Sequence, residues 1–278
     1  MGPSLVAMNA TTVGPMHRNP MESDNQNGVS GNTAHQDNVQ QNSARFSVHD
    51  RTLVIMAKAP RPGMVKTRLS QSLPSPAITA LYRCLLEDTL ALAKSLSGVA
   101  IAVMCPEPDK DELAHLLANT VQVVAQKGAG LAAGLISVFA HFTAGGRQRV
   151  IAFNSDSPHL SPSVLESAFH SLATCDLVVG PTHDGGYYLV GAKAAHPALF
   201  DDDGMSTRSA LDRLLARARD LKLSTGTTET FYDIDVAEDL IRLAPELEIA
   251  PARAPRTAAW FAEWGAALGL QRDRAAKP

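Results

Sequence analysis

Residues 149–160 read RVIAFNSDSPHL, an apolar strand that continues directly into a polar loop. The next helix is predicted to start at Ser161-Pro162, because Ser is a preferred N-cap and Pro suits the first helical position. Asp156 is therefore not needed to start that helix. A carboxylate just beyond the carboxyl end of a central strand lies where open α/β sheets bind ligands. Asp156 is our first candidate site residue, although an ordinary Asx-turn with Ser157-Pro158 explains it equally well.

Predicted strands and helices alternate on both sides of this stretch. Residues 52–56 (TLVIM) form a short apolar run typical of a strand buried on both faces, and an amphipathic helix begins near Ser75-Pro76. Residues 176–179 and 186–190 are two strands joined by a turn instead of a helix, so one of them should run antiparallel. We therefore predict an α/β fold of three Rossmann-like layers, with helices on both faces of a mostly parallel sheet.

The composition is that of a soluble globular protein. The chain has 278 residues, a formal net charge of −3, 45% hydrophobic residues and 19% charged residues. The slight acidity gives no electrostatic argument for nucleic acid as a partner, and no apolar run reaches the length of a membrane span. The three cysteines form no CxxC pair, which fits a reducing cytosol and predicts a cytoplasmic protein. The sequence does not predict an oligomeric state.

The two ends differ from the middle of the chain. Residues 1–48 are rich in Asn, Gln, Ser and Gly and have few apolar side chains, so we predict a disordered tail. We place the folded domain at residues 49–247. Residues 248–278 are an Ala/Arg-rich extension with one short helix around Trp260 and Trp264, which either packs on the body or faces a partner.

A basic loop follows the first predicted strand. Residues 56–69 read MAKAPRPGMVKTRL and carry four cationic side chains, Lys58, Arg61, Lys66 and Arg68. Such a loop beside a core strand can hold a polyphosphate through side chains and backbone amides, and we favour that interpretation over a solvated basic loop. It is not a P-loop, because Gly63 lies only three residues before Lys66.

A second group of carboxylates occurs late in the chain, in FYDIDVAEDL (residues 231–240). Asp235 and Glu238 have the spacing of a capping box, which is a structural explanation for both. A cap uses only one carboxylate oxygen, however, and Asp233 lies on the same side if the segment is extended. Because Mg²⁺ takes one or two carboxylates together with substrate phosphates, Asp156 with Asp233 or Asp235 would supply a site for it.

A third candidate is the turn His183-Asp184-Gly185-Gly186-Tyr187-Tyr188. Asp-Gly between two strands predicts a type I′ hairpin turn. The second glycine and the two tyrosines suggest in addition a pocket for a sugar or an acceptor, because glycine admits a ligand close to the backbone and tyrosine offers an apolar ring with a polar tip.

Together these motifs resemble a bacterial family of glycosyltransferase-like proteins with the GT-A, or nucleotide-diphospho-sugar transferase, fold. That family is related to the 2-phospho-L-lactate guanylyltransferases and the molybdenum-cofactor guanylyltransferases. The resemblance covers residues 53–243. It rests on MAKAPRPGMVKTRL, NSDSPHL, GPTHDGGYYLVG, FYDIDVAEDL and the MST at residues 205–207.

The resemblance implies a role for each motif. Asp156 and Asp235 would hold Mg²⁺ or Mn²⁺, with Asp233 beside them, and Lys66 would act with Asp156 and Asp235 in catalysis. The turn formed by Asp184, Gly185, Gly186, Tyr187 and Tyr188 would face the sugar or acceptor. The residues expected to bind the nucleotide are Ala57, Lys58, Ala59, Arg61, Gly63, Lys66 and Arg68, with Gln126 and Gly128 beside the base.

The stretch after Gln126 departs from the family. Members usually carry an acidic-Leu-Gly and an arginine there, whereas this chain reads QKGAGLAAGL, with Gly130, Ala132 and Gly134 at those positions. We predict a metal-dependent transferase that moves a glycosyl group from an NDP-sugar to a small-molecule acceptor. Nucleotidyl transfer from an NTP to a phosphorylated small molecule is an alternative, because its chemistry is similar. The altered turn leaves a catalytically silent nucleotide-binding module as a further alternative.

Overall fold

Seven strands form one sheet in a computed structural model that describes residues 50–146, 148–201, 208–265 and 269. The predicted tail and the MST motif lie outside these residues. The sheet order is β3-β2-β1-β4-β6-β5-β7. The strands are β1 Arg51–Met56, β2 Val99–Cys105, β3 Gln122–Ala125, β4 Arg149–Asn154, β5 Leu177–Pro181, β6 Tyr187–Ala192 and β7 Thr225–Thr227.

Helices cover both faces of this sheet. They are α1 Ser75–Lys94, α2 Lys110–Leu116, α3 Gly130–Ala144, α4 Pro162–Ser171, α5 Ala210–Asp220, α6 Ala237–Ile249 and α7 Pro255–Trp264. One buried cluster packs α1, α2 and α4 against one face of the sheet, and a second packs α3 and α5 against the other. The three-layer α/β fold is thereby confirmed. Among the described residues no helix has the length and hydropathy that a bilayer crossing requires.

The strand directions fix the position of the cleft. β1 pairs in parallel with β2 and with β4, whereas β6 pairs antiparallel with both β4 and β5. The predicted antiparallel strand is therefore β6. From β1 the chain continues outward to β2 and β3 and then returns to β4, so the carboxyl ends of β1 and β4 flank a topological switch point, where open α/β sheets bind ligands.

The C-terminal segment packs on the body of the protein. In a third apolar cluster, Trp260 of α7 lies with Leu81 and Leu85 of α1 and Leu243 of α6. Asp88 of α1, almost fully buried, accepts hydrogen bonds from the backbone N–H of Thr257 at 2.8 Å and from its hydroxyl at 2.9 Å. The sequence left open whether this segment packs on the body or faces a partner, and its described part packs on the body. The predicted domain boundary at 247 also falls within α6, which ends at Ile249.

Candidate active site

The loop after β1 is held in place by its own side chains and by α1 and α2. The guanidinium of Arg61 binds Asp109 and Glu112, both at 2.7 Å, and the backbone N–H of Lys58 donates to the Tyr82 hydroxyl at 2.9 Å. The side chain of Arg61 therefore points to the α2 side of the loop, and Arg61 does not line the cleft described below. Its assignment to phosphate binding stays a prediction that this placement does not favour.

Lys66 lies at the centre of the site. Its Nζ is 2.7 Å from Oδ2 of Asp156 and 3.6 Å from Oδ1 of Asp235, and only 6% of its side chain is exposed. The outer oxygen of Asp235, Oδ2, accepts from the guanidinium of Arg68, which is largely exposed. Lys66 also adopts a left-handed backbone conformation, with φ of 47°, which is uncommon for a residue with a side chain.

Hydrogen bonds between two loops bring these carboxylates together. The backbone N–H of Ile234 donates to the carbonyl of Asp156 at 3.1 Å, and the Ser157 hydroxyl donates to the carbonyl of Tyr232 at 3.3 Å. The loop after β4 and the segment before α6 are therefore fixed side by side. Asp156 is oriented further by the Ser155 hydroxyl, which donates to its Oδ1 at 3.1 Å.

The predicted capping role of Asp235 and Glu238 is wrong. The helix α6 begins at Ala237, and the carboxylate of Asp239 accepts from the backbone N–H groups of Asp235 and Val236, both at 2.8 Å. Asp239 does so because it is the third residue of the helix, from which a side chain reaches back to the N-cap amide. The Asp235 carboxylate therefore does not cap the helix and instead forms ion pairs with Lys66 and Arg68.

Burial and the neighbouring charges shift two pKa values in this cluster. Burial raises the pKa of Asp233 to about 6, the ammonium of Lys66 opposes that shift, and the carboxylate of Asp156 adds to it. Burial by itself would lower the pKa of Lys66, but Asp156 and Asp235 outweigh this effect and raise the pKa above its ordinary value. Lys66 is therefore a charged counter-ion of the carboxylates.

A cleft of about 500 Å³ opens above this cluster. Four sequence motifs meet there, because the loops after β1 and β4, the turn before β6 and the segment before α6 all reach the same edge of the sheet. Predicted site residues that line it are Lys58, Arg68, Asp156, Asp184, Gly186, Tyr187, Tyr188, Asp233 and Asp235. Ala57, Ala59, Gly63, Gly128, Gly185 and Gln126 lie outside its lining, and Lys66 is buried beneath two of the lining carboxylates.

The turn before β6 is built around Asp184. Its Oδ1 accepts from the hydroxyl of Thr182 and from the backbone N–H of Gly186. Burial works to raise the pKa of Asp184, but these two hydrogen bonds, with Arg68 nearby, outweigh it and hold the pKa below its ordinary value. The turn is not type I′, because among its residues only Gly185, with φ of 88°, has a positive φ, whereas that type requires two.

Gln126 closes its own turn instead of pointing into the cleft. Its side-chain amide donates to the carbonyls of Gly128 at 2.9 Å and Gly130 at 3.1 Å. Gly134 makes room for this arrangement, because a Cβ there would lie 2.7 Å from Oε1 of Gln126. The predicted contact of Gln126 and Gly128 with a base stays a prediction.

Several residues of the site carry little or no signal in the sequence. Thr67, Asn154 and Thr182 line the cleft, and the Tyr82 hydroxyl lies 3.3 Å from that of Ser155 beneath it. Thr182 carried a usable signal, since a hydroxyl two residues before an aspartate in a turn is a common side-chain partner. Tyr82 carried none, because it occurs within the apolar pattern of α1.

The donor set fits a hard divalent cation that is shared with a phosphate ligand. Within residues 50–146, 148–201, 208–265 and 269, no group of three or more His, Cys, Asp and Glu side chains is arranged to enclose a metal. Asp156 and Asp235 nevertheless converge on one point, which the ammonium of Lys66 marks. Two carboxylates are what Mg²⁺ takes when substrate phosphates complete its coordination.

Comparisons with known proteins agree with this architecture. Residues 89–207 match a family model described as "Uncharacterized protein conserved in bacteria (DUF2064)". No curated protein matches the chain. A solved structure of a "putative nucleotide-diphospho-sugar transferase" from Desulfovibrio desulfuricans G20 is 24% identical and covers 81% of this chain and 100% of its own, with a TM-score of 0.75.

Two more distant structures also match. A 4-diphosphocytidyl-2C-methyl-D-erythritol synthase from Anaerococcus prevotii DSM 20548 is 13% identical over 72% of this chain and 97% of its own, with a TM-score of 0.49. A manganese complex of a Mycobacterium tuberculosis H37Rv protein is 18% identical over 71% and 98%, with a TM-score of 0.46. The Desulfovibrio match carries the assignment: the chain has the nucleotide-diphospho-sugar transferase fold, as its motifs predicted, and its residues 89–207 match the DUF2064 family of bacterial proteins.

Proposed function

We propose that the protein is a metal-dependent transferase that moves a glycosyl group from a nucleotide-diphospho-sugar to a small-molecule acceptor. The observation that carries the proposal is the cleft at the ends of β1 and β4, where Asp156 and Asp235 lie beside the cationic residues Lys66 and Arg68. A diphosphate needs such cations, and a metal that bridges it to the protein needs such a carboxylate pair.

Each wall of the cleft suits a different part of the donor. Lys58 and Arg68 line it on the side of the β1 loop and would hold the phosphates. Mg²⁺ or Mn²⁺, held by Asp156 and Asp235, would supply positive charge that stabilises the departing nucleoside diphosphate. On the β6 side, Asp184 remains a charged acceptor because its pKa is lowered, and it would bind hydroxyl groups of the sugar or the acceptor.

Nucleotidyl transfer is the second candidate. Its supporting observation is that a single short loop brings three cationic side chains, Lys58, Lys66 and Arg68, to or beneath the same cleft. A triphosphate carries more charge than a diphosphate and would use all three. The same residues would then stabilise the charge that develops on the pyrophosphate leaving group.

One incubation series tests these alternatives. The protein is mixed with Mn²⁺ and either a panel of NDP-sugars or a panel of NTPs, each with pooled phosphorylated and unphosphorylated small-molecule acceptors. We expect release of free nucleoside diphosphate from one NDP-sugar. Pyrophosphate release from an NTP would establish nucleotidyl transfer instead, and tight nucleotide binding without turnover of any donor would establish a silent binding module.

Asp156→Asn is the matched variant for this series. The change keeps the side-chain shape and removes the charge, so we expect turnover and Mn²⁺-dependent nucleotide binding to fall by at least about a hundredfold. The control is Asp111→Asn, which removes the same charge from an exposed position in α2. Undiminished metal-dependent binding in Asp156→Asn would contradict the proposed metal site.

A further inference from the structure

All four oxygens of the Asp156 and Asp235 carboxylates already have a partner. For Asp156, Oδ1 accepts from the Ser155 hydroxyl and Oδ2 binds Lys66; for Asp235, Oδ1 faces Lys66 and Oδ2 binds Arg68. A cation that bridges the two residues must take over at least one oxygen from each. The oxygens that face each other across the gap are those held by Lys66.

The ammonium of Lys66 and a divalent metal cannot share this gap. Nζ lies 2.7 Å from Asp156, while a metal ligated by the same oxygen would lie about 2 Å from it. Two positive charges at such a separation repel each other strongly in a site where the lysine side chain is only 6% exposed. Binding of the metal therefore requires the ammonium to leave.

The chain around Lys66 leads away from the carboxylates towards the cleft. Thr67 and Arg68, the next two residues, line that cleft, and the lysine side chain has four rotatable bonds between the backbone and the ammonium. Lys66 also has a left-handed backbone conformation. Such conformations persist where the surrounding structure holds them, and the Lys66 carbonyl accepts a hydrogen bond from the N–H of Leu69 at 3.0 Å.

We propose that Lys66 is a resident counter-ion that a divalent metal displaces from between Asp156 and Asp235, and that the displaced ammonium becomes a ligand of the substrate phosphates. This inference rests on the proposed metal site and adds an exchange to it. The carboxylate pair is neutralised by lysine before the metal binds and by the metal afterwards. Metal and polyphosphate thus stabilise each other's binding, because the first frees a cation that the second uses.

The direct test is Mn²⁺ binding in the absence of nucleotide, followed by electron paramagnetic resonance of free Mn²⁺ and by calorimetry. Lys66→Met removes the competitor and keeps most of the side-chain length, so we expect it to bind Mn²⁺ at least about tenfold more tightly than the wild type. Lys66→Arg retains a competing cation and should stay close to the wild type. Lys58→Met is the charge-matched control, because Lys58 lines the same cleft but forms no ion pair within the part of the chain that the structure describes.

The possible outcomes distinguish failure of the proposed displacement of Lys66 from failure of the proposed metal site. If Lys66→Met binds Mn²⁺ no more tightly than the wild type while Asp156→Asn abolishes binding, the metal site stands and the exchange is refuted. If Lys58→Met gains as much affinity as Lys66→Met, overall charge explains the effect and the exchange is also refuted. If neither the wild type nor Lys66→Met binds Mn²⁺ without nucleotide, the exchange is refuted, and the metal site is judged by the Mn²⁺-dependent nucleotide binding described above.

A second measurement on the unmodified protein covers the case in which Lys66→Met does not fold. Acetylation of amines by an activated ester, read by mass spectrometry of the peptide that contains Lys66, reports whether its ammonium is held. We expect slow labelling without metal, faster labelling with saturating Mg²⁺, and fast labelling of Asp156→Asn with or without metal. Labelling of the wild type that saturating Mg²⁺ leaves unchanged or slows would refute the exchange.

Discussion

Gly185→Ala should weaken the wall of the cleft that carries Asp184. A Cβ at Gly185 would lie 2.0 Å from the carbonyl oxygen of Arg208 and 2.8 Å from its carbonyl carbon. Side-chain Cβ atoms essentially never approach closer than 3.0 Å, so the turn and the segment before α5 must separate by about 1 Å. That movement also strains the hydrogen bond from the Leu211 N–H to the Gly185 carbonyl, now 3.0 Å long.

Two costs add up at this position. Gly185 has φ of 88°, and a left-handed conformation costs alanine about 1–2 kcal/mol relative to glycine. Forcing an extra methyl group into filled space costs about 1–3 kcal/mol more. We therefore expect Gly185→Ala to reduce the free energy of unfolding by about 2–5 kcal/mol, which corresponds to a fall in Tm of about 2–4 °C per kcal/mol for a domain of this size.

Gly63→Ala isolates the first cost. Gly63 also has a positive φ, 73°, but nothing lies within 4 Å of a Cβ built there. This variant should lose only about 1–2 kcal/mol. Urea unfolding of both variants at equal m-value gives the difference directly. Equal destabilisation by the two substitutions would show that the contact with Arg208 exerts no force on the turn, and the reasoning about this wall would fail.

Three further predictions concern residues outside the cleft lining. Asp88→Ala should destabilise the protein by about 2–4 kcal/mol, because it leaves the buried amide and hydroxyl of Thr257 without their acceptor. In urea unfolding, tryptophan fluorescence, which reports on α7 through Trp260 and Trp264, should change at lower urea than the far-UV circular dichroism of the whole fold. Coincident transitions would contradict a local role. His159 is almost fully buried, and neither of its ring nitrogens has a hydrogen-bond partner among the described residues. Burial, together with the positive charges of Arg253 and Arg242, lowers its pKa from 6.5 to about 3. Between these pH values the unfolded chain therefore binds a proton that the folded chain does not. His159 should therefore not affect stability above pH 6.5, and below it the free energy of unfolding should fall by about 1.4 kcal/mol per pH unit. His159→Phe should flatten the pH dependence of the urea-unfolding free energy between about pH 6 and 4. An unchanged pH dependence in this variant would contradict the role of His159. Arg61→Met should lower stability only slightly in urea unfolding, because the Arg61 guanidinium holds the loop to α2 from an exposed position. It should leave Mn²⁺ affinity unchanged in isothermal titration, and a large loss of metal affinity would place Arg61 in the site instead.

Local sequence signals predicted the elements of the fold well. Ser161 does cap α4, since its hydroxyl accepts from the N–H of Ser163, and the short turn between two apolar runs correctly indicated the antiparallel strand. The second Ser-Pro pair was less accurate. Ser75 is the first residue of α1, with Pro74 at the N-cap and no side-chain cap, because the chain enters this helix one residue earlier than the pattern suggested.

Which residues come together in the site could be predicted from the sequence only in part. Placing Asp156 after a central strand needed one strand and the rule for open sheets, and the cleft does form there. The partner of each cation was beyond sequence reasoning, because it depends on which loops the sheet order brings together. Lys66 and Arg61 look alike in the motif, yet one faces two carboxylates of distant loops and the other binds Asp109 and Glu112 of the neighbouring segment.

The antiparallel direction of β6 has a consequence for how the two walls of the cleft can change. The wall that carries Asp156 and Asp235 is assembled from three distant segments joined by hydrogen bonds and by the ion pairs of Lys66, so an insertion in any of them disturbs the other two. The opposite wall is one continuous hairpin, residues 181–187, between neighbouring strands of the same sheet, and backbone hydrogen bonds also join it to Phe231 and Leu211. A hairpin of different sequence that keeps these backbone contacts would replace the whole wall as one continuous segment. If the proposed function holds, acceptor preference could change through substitutions in this one segment while the carboxylates proposed to bind the metal stay as they are.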